Sequence, residues 1–397
     1  MVRSAIAAVL LTVASAVAGI AAEPLKIGDL NSYTSLPAFS LPYRNGWILA
    51  LEEINAAGGV LGRPLEVISR DDGGKPGDAV TVVNELVERE QVSILMGTLL
   101  SHVGLAVSDV AKRKRIVFMA AEPLTDAIAW SKGNRYTFRL RPGTYVQAAM
   151  LAEEAAKLPA KRWVTIAPNY EYGQSAVEAF KTLLKAKRPD VEFVAEQWPA
   201  LFKLDAGPSV QALLRAEPEA IFNVTFGGDL VKFVREGTVR GLFDNRDVVS
   251  LLTGEPEWNA ALKDELPEGW IVTGYPWQDI ETKEHDDFIS AYRLRFQETP
   301  RMGSVVGYVT LKALAAAIEN AGSTDSEALI GALRGMEMSS PFGPIEFRAV
   351  DQQSTMGTFV GRTTLKDGVA GMRDWRYADG KDYLPPEAEV APLRPAD

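Results

Sequence analysis

The segment GWILALEEINAAGGVLGRPLEV (46–67) constrains this chain most, because an amphipathic helix stops at a glycine pair and a strand starts almost at once. Trp47, Ala50, Leu51 and Ile54 fall at helical spacing, and Gly58 can take the left-handed conformation that closes a helix C-terminus. The same alternation continues on both sides. In the first half KIGDL, LEVISR, SILMG and RIVFMA read as strands, with helices over 45–57, 78–89 and 103–112 between them. A second set follows: WVTIAP, VEFVAEQW, AIFNVTF and VVSLLTG, with helices near 174–187 and 210–216. Apolar runs alternating with helical patterns predict parallel sheets flanked by helices, and two such sets predict two domains.

The first residues bear on the compartment. Residues 1–22 hold one basic residue, Arg3, then an apolar run ending in small residues, the pattern of a cleaved secretory signal. That run is shorter than the ~20 apolar residues a membrane-spanning helix needs. The chain has no cysteine, so it has no disulfide and no lipid-bearing N-terminal Cys. Without the signal the formal charge moves from −10 to −11 (41 Lys and Arg against 52 Asp and Glu), which disfavours nucleic acid as a partner. Catalysis finds little support either. There is no GxGxxG after the first strand, no P-loop, no nucleophile elbow and no Cys or His cluster for a transition metal, so no cofactor is expected. Asp71 and Asp72 in RDDGGKPGD lack the alternating acidic positions of a calcium loop and read as a strand-to-helix joint.

Three neighbouring segments, LKIGDLNSYTSLPAF (25–39), RDDGGKPGDAV (70–80) and ILMGTLLSHVGLAVSDVA (94–111), flank that opening unit. In this order they resemble the N-terminal lobe of a type I periplasmic solute-binding protein of the branched-chain amino acid (Leu/Ile/Val) family, and later segments such as RMGSVVGYVTLKALAAAIENAGSTD (301–325) extend the likeness over nearly the whole mature chain. The resemblance implies an α/β fold of two doubly wound lobes joined by three hinge crossovers, near 141–143, 273–277 and 339–343. Lobe one is then 23–141 plus 275–339, lobe two 142–274 plus 340–384, and PPEAEVAPLRPAD (385–397) a poorly ordered tail. It also implies a monomeric periplasmic component of an ABC importer that closes on a small ligand and presents it to a permease and its ATPase. A ligand-sensing receptor of the same fold is the alternative.

The ligand site is expected at the carboxyl ends of the strands, between the lobes. Ser101 ends the loop GTLLS and is expected to cap the helix beginning SHVGLAV, where free N–H groups and the positive end of the helix dipole suit a carboxylate. Its plain reading is an ordinary N-cap, but by the resemblance relatives bind the ligand carboxylate here. His102, one of two histidines, is either a donor to the ligand or part of the lobe surface. In FMAAEPLTD (118–126) Glu122 and Leu124 stand where amino-acid-binding relatives place a small residue and a threonine, so a hydroxyl is lost and a carboxylate gained. Glu122 then accepts from a ligand amine or hydroxyl, pairs with a protein cation, or stays an exposed loop residue.

By the same likeness Tyr172 covers the ligand with its ring, with Tyr170 a near alternative, and Phe226 forms a second wall lacking the hydroxyl of a tyrosine. Glu255 stands near the position that holds a ligand ammonium, with Gly254 an equal match. Phe39 joins the candidate set from the aromatic rim, whose other members, Tyr33, Tyr43, Trp47, Trp258, Tyr275 and Trp277, read mostly as core. Arg141 and Arg44 read as hinge or surface residues before they read as anion partners. The ligand is expected to carry a carboxylate, as an amino acid or as an aromatic or other organic acid.

Overall fold

The computed structural model describes residues 23–366 and 368–395, so the secretory signal expected over 1–22 lies outside the described residues. The first sheet comprises β1 (Leu25–Asn31), β2 (Leu65–Asp71), β3 (Ile94–Gly97), β4 (Val117–Ala120) and β5 (Thr137–Arg139), all parallel, in the order β2-β1-β3-β4-β5. Helices α1 (Pro37–Ala56), α2 (Pro76–Glu88) and α3 (Ser101–Lys114) connect successive strands. α1 starts earlier than its periodicity predicts, because Pro37 fits the first turn of a helix. Its far end behaves as the glycine pair demands: Gly58 and Gly59 have φ of 107° and 78°. A Cβ on Gly59 would lie 2.0 Å from the Arg63 carbonyl oxygen.

The chain then passes through α4 (Thr144–Ala155) into a second sheet. Strands β6 (Arg162–Ile166), β7 (Glu192–Gln197), β8 (Ala220–Asn223), β9 (Asp247–Gly254) and β10 (Ile271–Gly274) are parallel, interleaved with α5 (Glu171–Lys187), α6 (Ala206–Arg215), α7 (Gly227–Val239) and the short α8 (Pro256–Asn259). α9 (Lys283–Phe296), α10 (Met302–Ala321) and α11 (Ser326–Leu333) follow. α10 lies against α1 at glycine-only distance: a Cβ on Gly46 would sit 2.0 Å from the Ser304 carbonyl oxygen, and one on Gly307 1.9 Å from that of Tyr43.

The last part of the chain departs from expectation in two ways. At 339–343, where a crossing was expected, β11 (Glu337–Ser340) and β12 (Gly343–Glu346) form a hairpin. The chain then runs beside β5, where Arg139 pairs with Gln353, and enters the second sheet only with β13 (Thr358–Lys366) and β14 (Val369–Ala378). These two are antiparallel, giving the order β14-β13-β10-β9-β8-β6-β7. Of the stretch expected as a loose tail, the described part, 385–395, instead folds back, through α12 (Glu387–Val390). Val390 is buried, and the Arg394 guanidinium donates to the carbonyls of Ala129 (2.8 Å) and Asp351 (2.6 Å). An apolar anchor and an arginine with two buried acceptors suffice to order it.

Candidate functional site

The loops that leave the carboxyl ends of strands in both sheets face one another, and one small cavity lies between them. From the first sheet come Leu99, Leu100 and Ser101 after β3, then Glu122 and Leu124 after β4. From the second come Tyr170 and Tyr172 after β6, Phe226 after β8, and Leu252 and Trp258 at the end of β9 and in α8. The cavity is small, about 20 Å³. Its walls are mainly leucine and aromatic side chains. Phe226 meets Tyr172 edge-on at 5.6 Å and Trp258 at 5.4 Å, and Trp258 stacks on Phe39 at 6.1 Å.

The polar part of the site is built around Arg141, just beyond β5. Its Nη1 donates to Glu122 and its Nη2 to Glu255, so one guanidinium joins a loop of the first lobe to a loop of the second. All three side chains are buried to within 2% of full enclosure. The other oxygen of Glu255 accepts from Trp258 Nε1 at 3.0 Å, leaving Glu255 with both oxygens bonded. Glu122 differs: its Oε2 is buried with no hydrogen-bond partner in the protein, and so is the Tyr172 hydroxyl. Burial, opposed by Arg141, pushes the Glu122 carboxyl up to about 8. Glu257, the residue before Trp258, reaches across to α10 and accepts from the Gly303 N–H at 2.6 Å. Burial raises its pKa too, while the Gly303 N–H, its own backbone N–H and the charges of Arg301 and Arg141 oppose the rise.

Of the residues marked out in the sequence, Ser101, Glu122, Leu124, Tyr172 and Phe226 share this one cavity. Glu255 stands one step behind it, through Arg141, and Phe39 stands behind Trp258. Ser101 is not the cap of α3: Leu100 is the N-cap, with extended backbone, and Ser101 is the first helical residue. Its Oγ accepts from the Thr125 N–H at 3.1 Å, which ties the loop of Glu122 and Leu124 to the start of α3. His102 is turned away. Successive helical residues point about 100° apart, so the side chain after Ser101 leaves the cavity. It meets Tyr170 edge-on at 5.3 Å and lines a separate surface cleft with Asp109, Lys132 and Glu171.

Sequence reasoning missed Arg141 as the centre of the site and left Trp258 among the core aromatics. The only signal for Arg141 was a lone arginine at an expected crossover. Leu99, Leu100 and Leu252 carried no signal at all, since leucines at strand ends read as core. Asp71 and Asp72 behave as the joint they were expected to be, accepting from the N–H groups of Gly73 (3.0 Å) and Gly74 (2.8 Å).

Comparison with known proteins agrees with this architecture. Residues 24–368 match the profile of the periplasmic binding protein family. The chain is 25% identical to Leu/Ile/Val-binding protein homolog 7 of Brucella suis, over 83% of this chain and 86% of that one. It is 27% identical to the leucine-, isoleucine-, valine-, threonine- and alanine-binding protein of Pseudomonas aeruginosa, over 85% of this chain and 90% of that one. Among solved structures, it is similar to an ABC-transporter solute-binding protein of Rhodopseudomonas palustris in complex with 3,4-dihydroxybenzoic acid. The TM-score is 0.80 at 22% identity, covering 90% of this chain and 98% of that one. A match over nearly the whole described chain, on two lobes with a cavity between their strand ends, places this protein in the periplasmic binding protein family.

Proposed function

We propose that this protein is the periplasmic solute-binding component of an ABC importer. It captures a small organic acid between its lobes by hinge closure and delivers it to the permease and ATPase. Residues 1–22 direct its export, the mature protein acts as a monomer, and the lobes divide near 141, near 274 and between Gln353 and Thr358. Two kinds of relative support the class: proteins named for branched-chain amino acids and a solute-binding protein solved with an aromatic acid. Closure follows from contacts that exist only when both lobes meet, namely Arg141 to Glu255, Gly303 to Glu257 and Phe39 to Trp258.

The observation that carries the choice of ligand is that both oxygens of Glu255 are taken, by Arg141 and Trp258. The carboxylate expected to receive a ligand ammonium therefore serves the protein itself. What remains is an apolar, aromatic-walled cavity with a hydroxyl and a helix N-terminus at one end, which suits a carboxylate on a flat or branched apolar body. A second reading, an α-amino acid, draws on the open Oε2 of Glu122, which can accept from an ammonium. A thermal-shift screen of benzoate, 4-hydroxybenzoate, 3,4-dihydroxybenzoate, 4-methylpentanoate and the branched-chain amino acids tests the proposal. A rise in melting temperature with the acids supports it. A rise with the amino acids alone selects the second reading, and a rise with none of them removes the carboxylate ligand.

A further inference from the structure

We infer that the cleft takes up its anionic ligand together with one proton, which Glu122 holds. The inference rests on the organic-acid reading above and adds a specific role for this side chain. Three glutamates, Glu122, Glu255 and Glu257, are buried where the lobes meet, at 2%, 0% and 4% exposure, around the guanidinium of Arg141, while the other buried arginine beside them, Arg139, is turned to Asp126, Gln353 and the carbonyls of Leu124 and Thr125. Arg141 and Glu255 balance one another, and Glu257 sits on the N-terminus of α10 with Arg301 beside it. That leaves Glu122 as the surplus charge. It shares Arg141 through one oxygen, while its other oxygen is buried without a protein partner in a residue that lines the cavity.

A ligand carboxylate entering this cavity would bring a second uncompensated anion beside the first, a costly arrangement in a desolvated cleft. A proton on Glu122 Oε2 removes the repulsion and supplies a donor. Carboxyl to carboxylate is then a short charge-assisted O–H···O⁻ bond, made to an oxygen that otherwise has no partner. The titratable and charged groups around Glu122 offer no substitute. They are Arg141 beyond β5, Glu255 and Glu257 around α8, Tyr43 on α1 with Asp29 of β1 behind it, and Tyr170 and Tyr172 at the start of α5. Only Arg141 among them is a cation, and burial raises the hydroxyl pKa of all three tyrosines, which stay neutral. Burial has already lifted Glu122 to about 8, and a bound anion would lift it further.

The test is calorimetric titration of the whole protein with benzoate and with 4-hydroxybenzoate between pH 7 and 8.5, each in two buffers of different ionisation enthalpy. Buffer dependence of the heat counts protons. We expect uptake that is small at pH 7, where Glu122 already holds its proton, and grows toward about one proton per ligand at pH 8.5, with a dissociation constant that rises with pH toward about tenfold per unit. Glu122→Gln should bind at pH 7, take up no proton and show a flat profile. Wild-type binding without proton uptake at pH 8.5 overturns the inference and leaves the organic-acid reading standing, whatever the variant does. If neither acid binds at any pH, both fall together. A Glu122→Gln protein that keeps the wild-type pH dependence also overturns it, because the proton then resides elsewhere.

Discussion

Glu122 and Glu255, from opposite lobes, bond to the two ends of one guanidinium, that of Arg141. The loops that carry them lie 133 positions apart in the sequence, by subtraction of their numbers. Arg141 lies on the first crossing between the lobes, beside the loop of Glu122 and within reach of Glu255 where the lobes meet. On the closure proposed above, opening the cleft would part Glu255 from it, and closing would restore the pair.

Replacing Arg141 by Met should therefore destabilise the protein strongly, since it leaves two buried carboxylates uncompensated. The expected loss is roughly 3–5 kcal/mol, the usual result of removing one partner of a buried ion pair. Urea unfolding at pH 7 measures it. A loss below about 1 kcal/mol would mean that the glutamates find protons or water at little cost.

Glu255→Gln separates the two ligand classes. It removes a negative charge from Arg141 and leaves the guanidinium partly free, so an organic acid should bind as well or better. An α-amino acid, whose ammonium would sit at the open Oε2 of Glu122, should bind more weakly, because the freed guanidinium draws on that same carboxylate. Calorimetry with 4-hydroxybenzoate and with L-leucine reads the sign in each case.

Ser101→Ala should weaken ligand binding by roughly 1–3 kcal/mol, the range for losing a hydrogen bond to a charged group. The same change deprives the Thr125 N–H of its acceptor, so stability should also fall, by about 1 kcal/mol. An unchanged dissociation constant with a lowered melting temperature would make Ser101 a loop anchor and nothing more.

Tyr172 tests the aromatic wall. Its hydroxyl has no hydrogen-bond partner in the protein, and its ring meets Phe226 at 5.6 Å. Tyr172→Ala should weaken binding markedly and Tyr172→Phe much less. Equal loss in both variants would show that the hydroxyl bonds the ligand.

Acid should stabilise this protein over part of the pH range. Burial raises Asp29 to about 7 and Asp72 to about 6, well above the ordinary aspartate value near ~3.9. A raised carboxyl pKa in the folded state contributes stability that is full below the unfolded pKa. It is lost as pH climbs from about 4 through 6 to 7. The ligand-free melting temperature should thus fall between pH 5 and pH 8, and Asp29→Asn should flatten the fall. A melting temperature that rises over that interval contradicts this assignment.

The fold was legible because its signals are local. Each parallel strand is an apolar run bounded by turn residues, and α1 ends at a glycine pair that nothing else could replace at φ of 107° and 78°. The course of 347–357 beside β5 and the ordered C-terminal stretch were not legible, since they depend on distant partners such as Arg139 and Ala129. Loop position marked out Ser101, Glu122, Tyr172 and Phe226, which line the cavity. It could not show that His102 turns outward, which is a matter of helical phase. Nor could it show that Arg141 lies between two glutamates, which is a matter of how the lobes meet.

Capture by closure is the central claim, and the distance across the cleft tests it most directly. The chain has no cysteine, so cysteines introduced at the exposed positions Lys75 and Lys203, one on each lobe, take spin labels uniquely. With the tightest binder from the screen added, the account predicts a distance distribution that collapses to a single shorter population, and a Glu255→Ala, Glu257→Ala protein that does so less completely. Saturating ligand that leaves the distribution unchanged would contradict closure as the means of capture.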